Sequence, residues 1–220
     1  MYVLEAIIGA VIAWLVPKIL DPLLRRGKRE GQVKRQLDVS FPWIKWCFAL
    51  ALGGAVGGFL SGAIGALGLK TPGGLGNWTV FGVAIGVSQW LVLREYLDIG
   101  PRWAVFSALG WSAWSLFEAG HLSPYLGWAI VGLIVGILQY LVLMRVRRKA
   151  FWWIPANIFG WLVAGPVGWV IGMVLLQAKL SLPVAWVVGW ACVGAVGSLV
   201  LGFSLARMPA RETRVTAAAA

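Results

Sequence analysis

The sequence predicts an all-α fold: a polytopic membrane helix bundle of about seven transmembrane helices, one leading helix plus three tandem parallel-repeat hairpins. Three observations predict it. The 220 residues are 60% hydrophobic and only 12% charged, with a mean hydropathy of +0.83, which lies outside the range of soluble domains. Apolar runs of the roughly 20 residues that cross about 30 Å of hydrocarbon recur between short polar breaks. A stretch of the chain also repeats itself after fifty residues.

The spans follow from the apolar runs in order. They are Tyr2 to Leu20, Trp46 to Leu69, Trp78 to Leu93, Trp103 to Phe117, Leu126 to Met144, Phe151 to Leu176 and Leu182 to Leu205. The fourth is the weakest, because it is short, contains serines and ends at Glu118. The expected organisation is a first transmembrane helix (1–20), a basic cytoplasmic linker (21–45), a six-helix repeat domain (46–206) and a cytoplasmic tail (207–220).

Basic residues are concentrated in alternate loops. They follow the first, third, fifth and seventh spans: Arg25, Arg26, Lys28, Arg29, Lys34, Arg35, Arg94, Arg102, Arg145, Arg147, Arg148, Lys149, Arg207, Arg211 and Arg214. The other loops carry only Lys70 and Lys179. The positive-inside rule therefore predicts an outer amino terminus and a cytoplasmic carboxyl terminus.

The internal repeat covers two successive spans. A shift of fifty residues pairs Gly82, Gly86, Gln89, Leu91, Val92 and Leu93 with Gly132, Gly136, Gln139, Leu141, Val142 and Leu143, and Trp103, Gly110 and Trp111 with Trp153, Gly160 and Trp161. We interpret this as duplication of a helix–loop–helix unit. A weaker copy combines the second span, with Trp46 and Gly53, and the seventh, with Gly194 and Gly202. Copies of a two-span unit share one orientation, so the pseudo-symmetry axis is expected along the membrane normal.

The unit GxxxGxxQWLVLR, followed by W-x6-GW, resembles poorly characterised bacterial multi-pass membrane proteins with repeated Gly-rich helical hairpins. The resemblance covers roughly 46–205. It implies tandem hairpins in a bacterial membrane and attaches no particular activity to them.

Glycines and tryptophans suggest how the helices pack. Glycine pairs four residues apart let another backbone approach one helix face; they are Gly53 and Gly57, Gly82 and Gly86, and Gly132 and Gly136. Tryptophans near span ends are expected to anchor in the headgroup region; they are Trp43, Trp46, Trp78, Trp103, Trp128, Trp152, Trp153 and Trp186.

Four polar residues are expected within the inner leaflet. Gln89 and Gln139 precede the cytoplasmic arginines by one to two turns, and Ser107 and Asn157 lie equally far into the following spans. Unpartnered carboxamides in hydrocarbon cost several kcal/mol. We therefore expect these four side chains to face each other or a small wet cavity, either as interhelical hydrogen bonds or as a solute or headgroup site.

Two further sites lie at the membrane surfaces. Glu118 and His121 form an outer-face pair that can hydrogen-bond, sense pH or offer His121 to a pigment magnesium, although a solvated loop pair is the simpler interpretation. The basic loops set the topology and can also contact lipid headgroups or an acidic partner; the densest set is Arg145, Arg147, Arg148 and Lys149.

The sequence lacks the patterns that known membrane chemistry needs. Asp21, Asp38 and Asp98 lie at or outside span ends, the two cysteines have no metal spacing, and the last span has no lysine for a retinal Schiff base. Acidic or basic residues for ion coupling are absent near the midplane. We expect no enzyme, no metal, no cofactor and no nucleic-acid partner.

Three functions remain after these exclusions. The first is a non-catalytic accessory or scaffold subunit that packs against a larger membrane complex, with other membrane subunits and lipids as partners. The second is a passive channel or small-solute carrier that uses the inner-leaflet polar cluster. The third is a lipid- or pigment-binding protein in which Trp111, Trp161 and Trp190 stack on the ligand.

Overall fold

The computed structural model describes residues 41–67, 74–116 and 123–209. The predicted first helix (1–20), the linker up to residue 40, the pair Glu118 and His121, and the tail beyond residue 209 lie outside the described residues. Within these ranges the secondary structure is entirely helical.

Six α-helices make up the described part of the chain. They are α1 (Trp43–Ala66), α2 (Leu75–Leu93), α3 (Arg102–Ser112), α4 (Pro124–Leu143), α5 (Trp153–Gln177) and α6 (Leu182–Ala206). A single 3₁₀ turn, Ala150–Trp152, precedes α5. Five of the six helices are long and apolar enough to cross a membrane. The chain is therefore a multi-pass helical membrane protein.

Local sequence signals explain where several helices begin. Prolines stand in the first turns of α4 and α6, where the missing N–H is not needed. Gly74 precedes α2 in the left-handed conformation, with φ of 68°. The five long helices are apolar on all sides, as expected of helices that contact lipid on one face and other helices on the other.

The fourth predicted span is shorter than the sequence suggested. Helix α3 has 11 residues, or about 16 Å, so it does not cross about 30 Å of hydrocarbon by itself. A turn at Ala113 follows, and helical geometry resumes over 114–116. Near this turn, the Ser112 hydroxyl donates to the backbone carbonyl of Leu109, and the Ser115 hydroxyl donates to that of Ser112.

The helices close into a ring. Each of the six packs against its neighbours in the chain, and α6 packs against α1. At the α1–α6 contact, Gly54 lies against the carbonyl of Trp190 and Gly194 against the carbonyl of Leu50. Trp46 adds a hydrogen bond from its indole Nε1 to the carbonyl of Ser198, at 2.9 Å. The core lies inside this ring and is rich in tryptophan, including fully buried Trp46, Trp103, Trp111, Trp153 and Trp161.

Charged residues gather at one end of the ring. This end holds the start of α1, α3 and α5 and the end of α2, α4 and α6, joined by contacts such as Lys45 to Glu95 at 3.0 Å and Arg147 to the carbonyl of Met208 at 3.1 Å. Among the described residues, the opposite end carries the single cation Lys179. We refer to the first as the basic end.

Candidate functional site: a buried glutamine–tryptophan network

Two glutamines on different helices meet inside the ring. Gln89 lies near the end of α2 and Gln139 near the end of α4, and both side chains have 0% exposure. The Nε2 of Gln139 donates to the Oε1 of Gln89 at 2.9 Å and to the hydroxyl of Ser107 at 2.7 Å. This pair bridges α2, α3 and α4 across the ring interior.

Each glutamine also accepts a hydrogen bond from a tryptophan fourteen residues later in the chain. Trp103 Nε1 donates to Gln89 Oε1 at 2.9 Å, and Trp153 Nε1 donates to Gln139 Oε1 at 2.9 Å. The two contacts are related by the same fifty-residue shift as the sequence repeat. The indole rings of Trp103 and Trp153 are themselves in contact, with centroids 5.6 Å apart.

The second pair of predicted polar residues is bonded mainly within its own helices. Ser107 donates to the carbonyl of Trp103 at 3.0 Å, and Asn157 donates to the carbonyl of Trp153 at 2.9 Å. Asn157 Oδ1 accepts from the indole of Trp161 at 3.1 Å. Ser107 thus joins the glutamines directly, whereas Asn157 reaches them only through Trp153.

Tryptophans at span ends behave differently from the sequence expectation. The anchor interpretation is wrong for Trp46, Trp103, Trp128 and Trp153, which are at most 5% exposed and lie in the core. Trp43 and Trp152 are 37% and 56% exposed. Position near a span end therefore does not distinguish buried from exposed tryptophans. An indole can bury its ring when its N–H finds an acceptor inside the bundle.

The contact between α6 and α1 resembles those of α2 with α3 and α4 with α5 in its backbone geometry, but its side chains are apolar. A Cβ added to Gly82 would lie 2.8 Å from the carbonyl oxygen of Ser107, and one added to Gly132 would lie 2.7 Å from that of Asn157. Gly194 faces the carbonyl of Leu50 in the same way. Counting onward from Gly194 places Leu201 at the position of the glutamines, and both Leu50 and Leu201 are fully buried.

All six glycines named from the sequence face another helix closely. An added Cβ would lie within 3.0 Å of a neighbouring atom at every one of these positions: Gly53, Gly57, Gly82, Gly86, Gly132 and Gly136. Real Cβ atoms essentially never come closer than this. The close approach brings α2 against α3 and α4 against α5, which places each glutamine beside its tryptophan partner.

Aromatic rings fill the ring interior farther from the basic end. Trp111 and Trp161 lie two turns beyond Trp103 and Trp153, about 12 Å along their helices, and their rings meet edge to face at 4.9 Å. The cluster continues through further ring contacts; its other members are Trp78, Phe81, Trp114, Trp128 and Trp190. The three rings considered for pigment stacking are therefore in contact with other protein rings.

Hydrogen bonding in this interior is nearly complete. Within the part of the chain that is described, Gln89 Nε2 and Trp111 Nε1 are the buried polar side-chain atoms of the ring centre without a partner. No group of three potential metal ligands occurs in the same residues. The hydrogen bonds of this arrangement join α2, α3, α4 and α5 to one another.

The four basic residues of the α4–α5 loop lie apart from this network. Arg145, Arg148 and Lys149 are exposed, and Arg147 is half-buried, with its Nη1 bonded to the carbonyl of Met208. Desolvation lowers the pKa of the Arg147 guanidinium from its ordinary value.

No protein-family model matches this chain, and neither a curated protein nor a solved structure is significantly similar to it.

Proposed function

We propose that this chain is a non-catalytic integral membrane protein that serves as an accessory or scaffold subunit of a larger membrane complex. The observation that carries the proposal is the closed interior. Gln89, Gln139, Ser107 and Asn157, the polar residues best placed to guide a solute, all have 0% exposure. Their bonds run to one another and to core tryptophans, so they support the ring itself.

The outer wall is then the surface available for function. Large apolar side chains on three helices point away from the core: Phe48 (69% exposed) on α1, Phe159 (63%) on α5 and Phe203 (51%) on α6. In a membrane such a wall contacts lipid or the helices of another subunit. Because the interior is filled, this wall is where a partner would pack.

The proposal includes the origin of the ring. One leading helix and three hairpins, arisen by duplication, are supported for α2–α3 and α4–α5 by the matching glutamine–tryptophan bonds. Gly194 on α6 approaches a carbonyl of α1 as Gly82 and Gly132 approach those of α3 and α5, which relates the pair α6 and α1 to the two hairpins. The third copy replaced its glutamine with Leu201. Residence in a bacterial plasma membrane with the basic end in the cytoplasm is part of the same proposal.

Extraction from native membranes tests the scaffold function. The chain, tagged at its carboxyl terminus, is solubilised in a mild detergent, and the eluate is analysed by mass spectrometry and by its absorption spectrum. Stoichiometric partner subunits are expected, as is photocrosslinking to them from benzoylphenylalanine placed at Phe48, Phe159 or Phe203. A chain that elutes alone and crosslinks only to lipid would refute the scaffold proposal.

A second function, a passive channel or small-solute carrier, is favoured by one observation. Gln89 Nε2 and Trp111 Nε1 are buried without a partner in the described structure, so the interior keeps two unused hydrogen-bond donors that a small polar solute can reach only if the ring opens. A flux of small polar solutes into liposomes that contain the protein would favour this function. A visible absorption band in the eluate would instead favour pigment binding.

A further inference from the structure

The loop between α4 and α5 forms a groove at the basic end. Its volume is about 570 Å³, and it is lined by Tyr140, Arg147, Arg148, Lys149 and Phe151. This volume is within the range of small-ligand sites, about 300–1,000 Å³. Arg148 and Lys149 are exposed, and neither has a carboxylate partner among the described residues. The groove therefore presents unpaired positive charge.

The loop between α2 and α3 offers an internal comparison. Four backbone hydrogen bonds of residues 94–97 recur fifty residues later in residues 144–147, so the chain leaves α2 and α4 through the same turn. In the first loop the turn ends at Leu97, which is 6% exposed. In the second loop Arg147 occupies this place. The turn therefore forms with a leucine at this place, so the backbone does not require the arginine.

Arg147 is costly for stability at this position. Its guanidinium is half-buried, its Nη1 bonds to the carbonyl of Met208, and its Nε is buried without a hydrogen-bond partner among the described residues. Burying a charged group with unsatisfied donors is unfavourable unless an anion compensates it. Among the described residues, no carboxylate forms an ion pair with Arg147 to supply that anion.

The charges of the two loops also differ. The first loop carries Glu95, which pairs with Lys45 at 3.0 Å, and Asp98, which stands where Arg148 stands in the second. The second loop carries four cations and no acid. Phe151 and Trp152 beside the groove are 52% and 56% exposed, as expected of aromatic residues at a headgroup interface.

We propose that the groove of Arg147, Arg148 and Lys149 binds the phosphate group of an anionic membrane lipid. The guanidinium of Arg147 and the side chains of Arg148 and Lys149 supply the charge-assisted donors, and the exposed aromatic rings face the upper part of the acyl chains. The site lies at the end of α4, where the apolar span meets the polar loop. This proposal does not depend on the scaffold function.

Lipid titration of the delipidated full-length protein in mild detergent tests the site. Dioctanoyl phosphatidylglycerol, dioctanoyl phosphatidylcholine and inorganic phosphate are compared, with bound lipid counted by native mass spectrometry. Phosphatidylglycerol is expected to bind, and R148Q to weaken it about fivefold, the effect of one cation near an anionic headgroup. Equal binding of phosphatidylcholine, or displacement of the lipid by an equal concentration of inorganic phosphate, would overturn the proposal.

Arg145→Gln is the matched control. Arg145 belongs to the same loop and is exposed, but it does not line the groove. R145Q removes the same charge, so it is expected to change the affinity less than twofold. If R145Q and R148Q weaken binding equally, the lipid is held only by diffuse attraction and the site does not exist. R147L, which copies Leu97, is expected to lose lipid binding while keeping or raising the thermal stability of the lipid-free protein.

Discussion

The carboxamides of Gln89 and Gln139 differ in how fully their hydrogen-bonding groups are used. Gln139 accepts from Trp153 through its oxygen and donates to two acceptors through its nitrogen. Gln89 accepts two hydrogen bonds through its oxygen, but its nitrogen has no partner among the described residues. Losing Gln139 therefore breaks three hydrogen bonds, whereas losing Gln89 breaks two.

Replacing the two glutamines singly and together tests this difference. Q89L is expected to destabilise the protein by about 1 kcal/mol and Q139L by up to about 2 kcal/mol, because interhelical hydrogen bonds in membranes are worth roughly 0.6–1.7 kcal/mol each. The double variant should cost less than the sum, since both single variants break the same Gln–Gln bond. Thermal unfolding in detergent measures all three. Strict additivity would contradict the shared bond, and S88A is a neighbouring control.

At the scale of the helix, the closest approaches depend on glycine. Gly132 on α4 would place an added Cβ 2.7 Å from the carbonyl oxygen of Asn157 on α5, and both groups belong to rigid backbone. Neither helix can yield locally, so a methyl group there must separate the pair and stretch the hydrogen bond between Trp153 and Gln139.

G132A is expected to lower the unfolding free energy by about 1–3 kcal/mol, the usual cost of overpacking. Gly160 on α5 gives a matched control, because an added Cβ there meets its nearest atom, of Val200, at 3.6 Å, an ordinary contact. G160A is expected to be neutral or slightly stabilising, since alanine favours the helix. Equal effects of the two substitutions in a detergent unfolding assay would show that the α4–α5 approach does not limit stability.

Loops of the same backbone shape carry different chemistry. The turn after α2 ends at buried Leu97 and the turn after α4 at half-buried Arg147, although their backbone hydrogen bonds match. The helices and turns are set by local sequence, whereas the side chains at the turn are free to differ. Under the proposed duplication and the proposed lipid site, this separation accounts for a site in only one of the two loops.

For the whole molecule, the unequal ends predict its orientation. Lys149 belongs to the basic end and Lys179 to the opposite end, and both are exposed. After Cys47 and Cys192 are replaced by serine, single cysteines at positions 149 and 179 can be labelled in intact cells with a membrane-impermeant maleimide. We expect labelling at 179 only, because cationic loops are retained in the cytoplasm. Labelling at 149 only would reverse the proposed topology.

The filled interior makes a second prediction for the whole molecule. Trp103 against Trp153 and Trp111 against Trp161 occupy two levels of the ring. Liposomes that contain the protein are therefore expected to show the same solute and ion flux as empty liposomes. Flux through the unaltered protein would show that the ring opens.

W161A would remove a fully buried ring and is expected to lower stability by about 3–5 kcal/mol.

The sequence by itself determined the membrane class and the approximate positions of the five long described helices, because these depend on composition and on the length of the apolar runs. The apolar run from Trp78 to Leu93 predicted α2, which the structure places at Leu75–Leu93. The sequence also predicted equal positions of Gln89 and Gln139 along their helices, since equal spacing in a helix gives equal rise.

Only the tertiary structure decided which groups meet. The indoles of Trp103 and Trp153 had been expected at the headgroups, but they are buried because each finds a glutamine acceptor on the preceding helix. Closure of the ring through Trp46 and Ser198 joins residues 152 positions apart, which no local pattern encodes. Contacts between distant segments depend on shape and on satisfied polar groups, and these exist only once the helices pack.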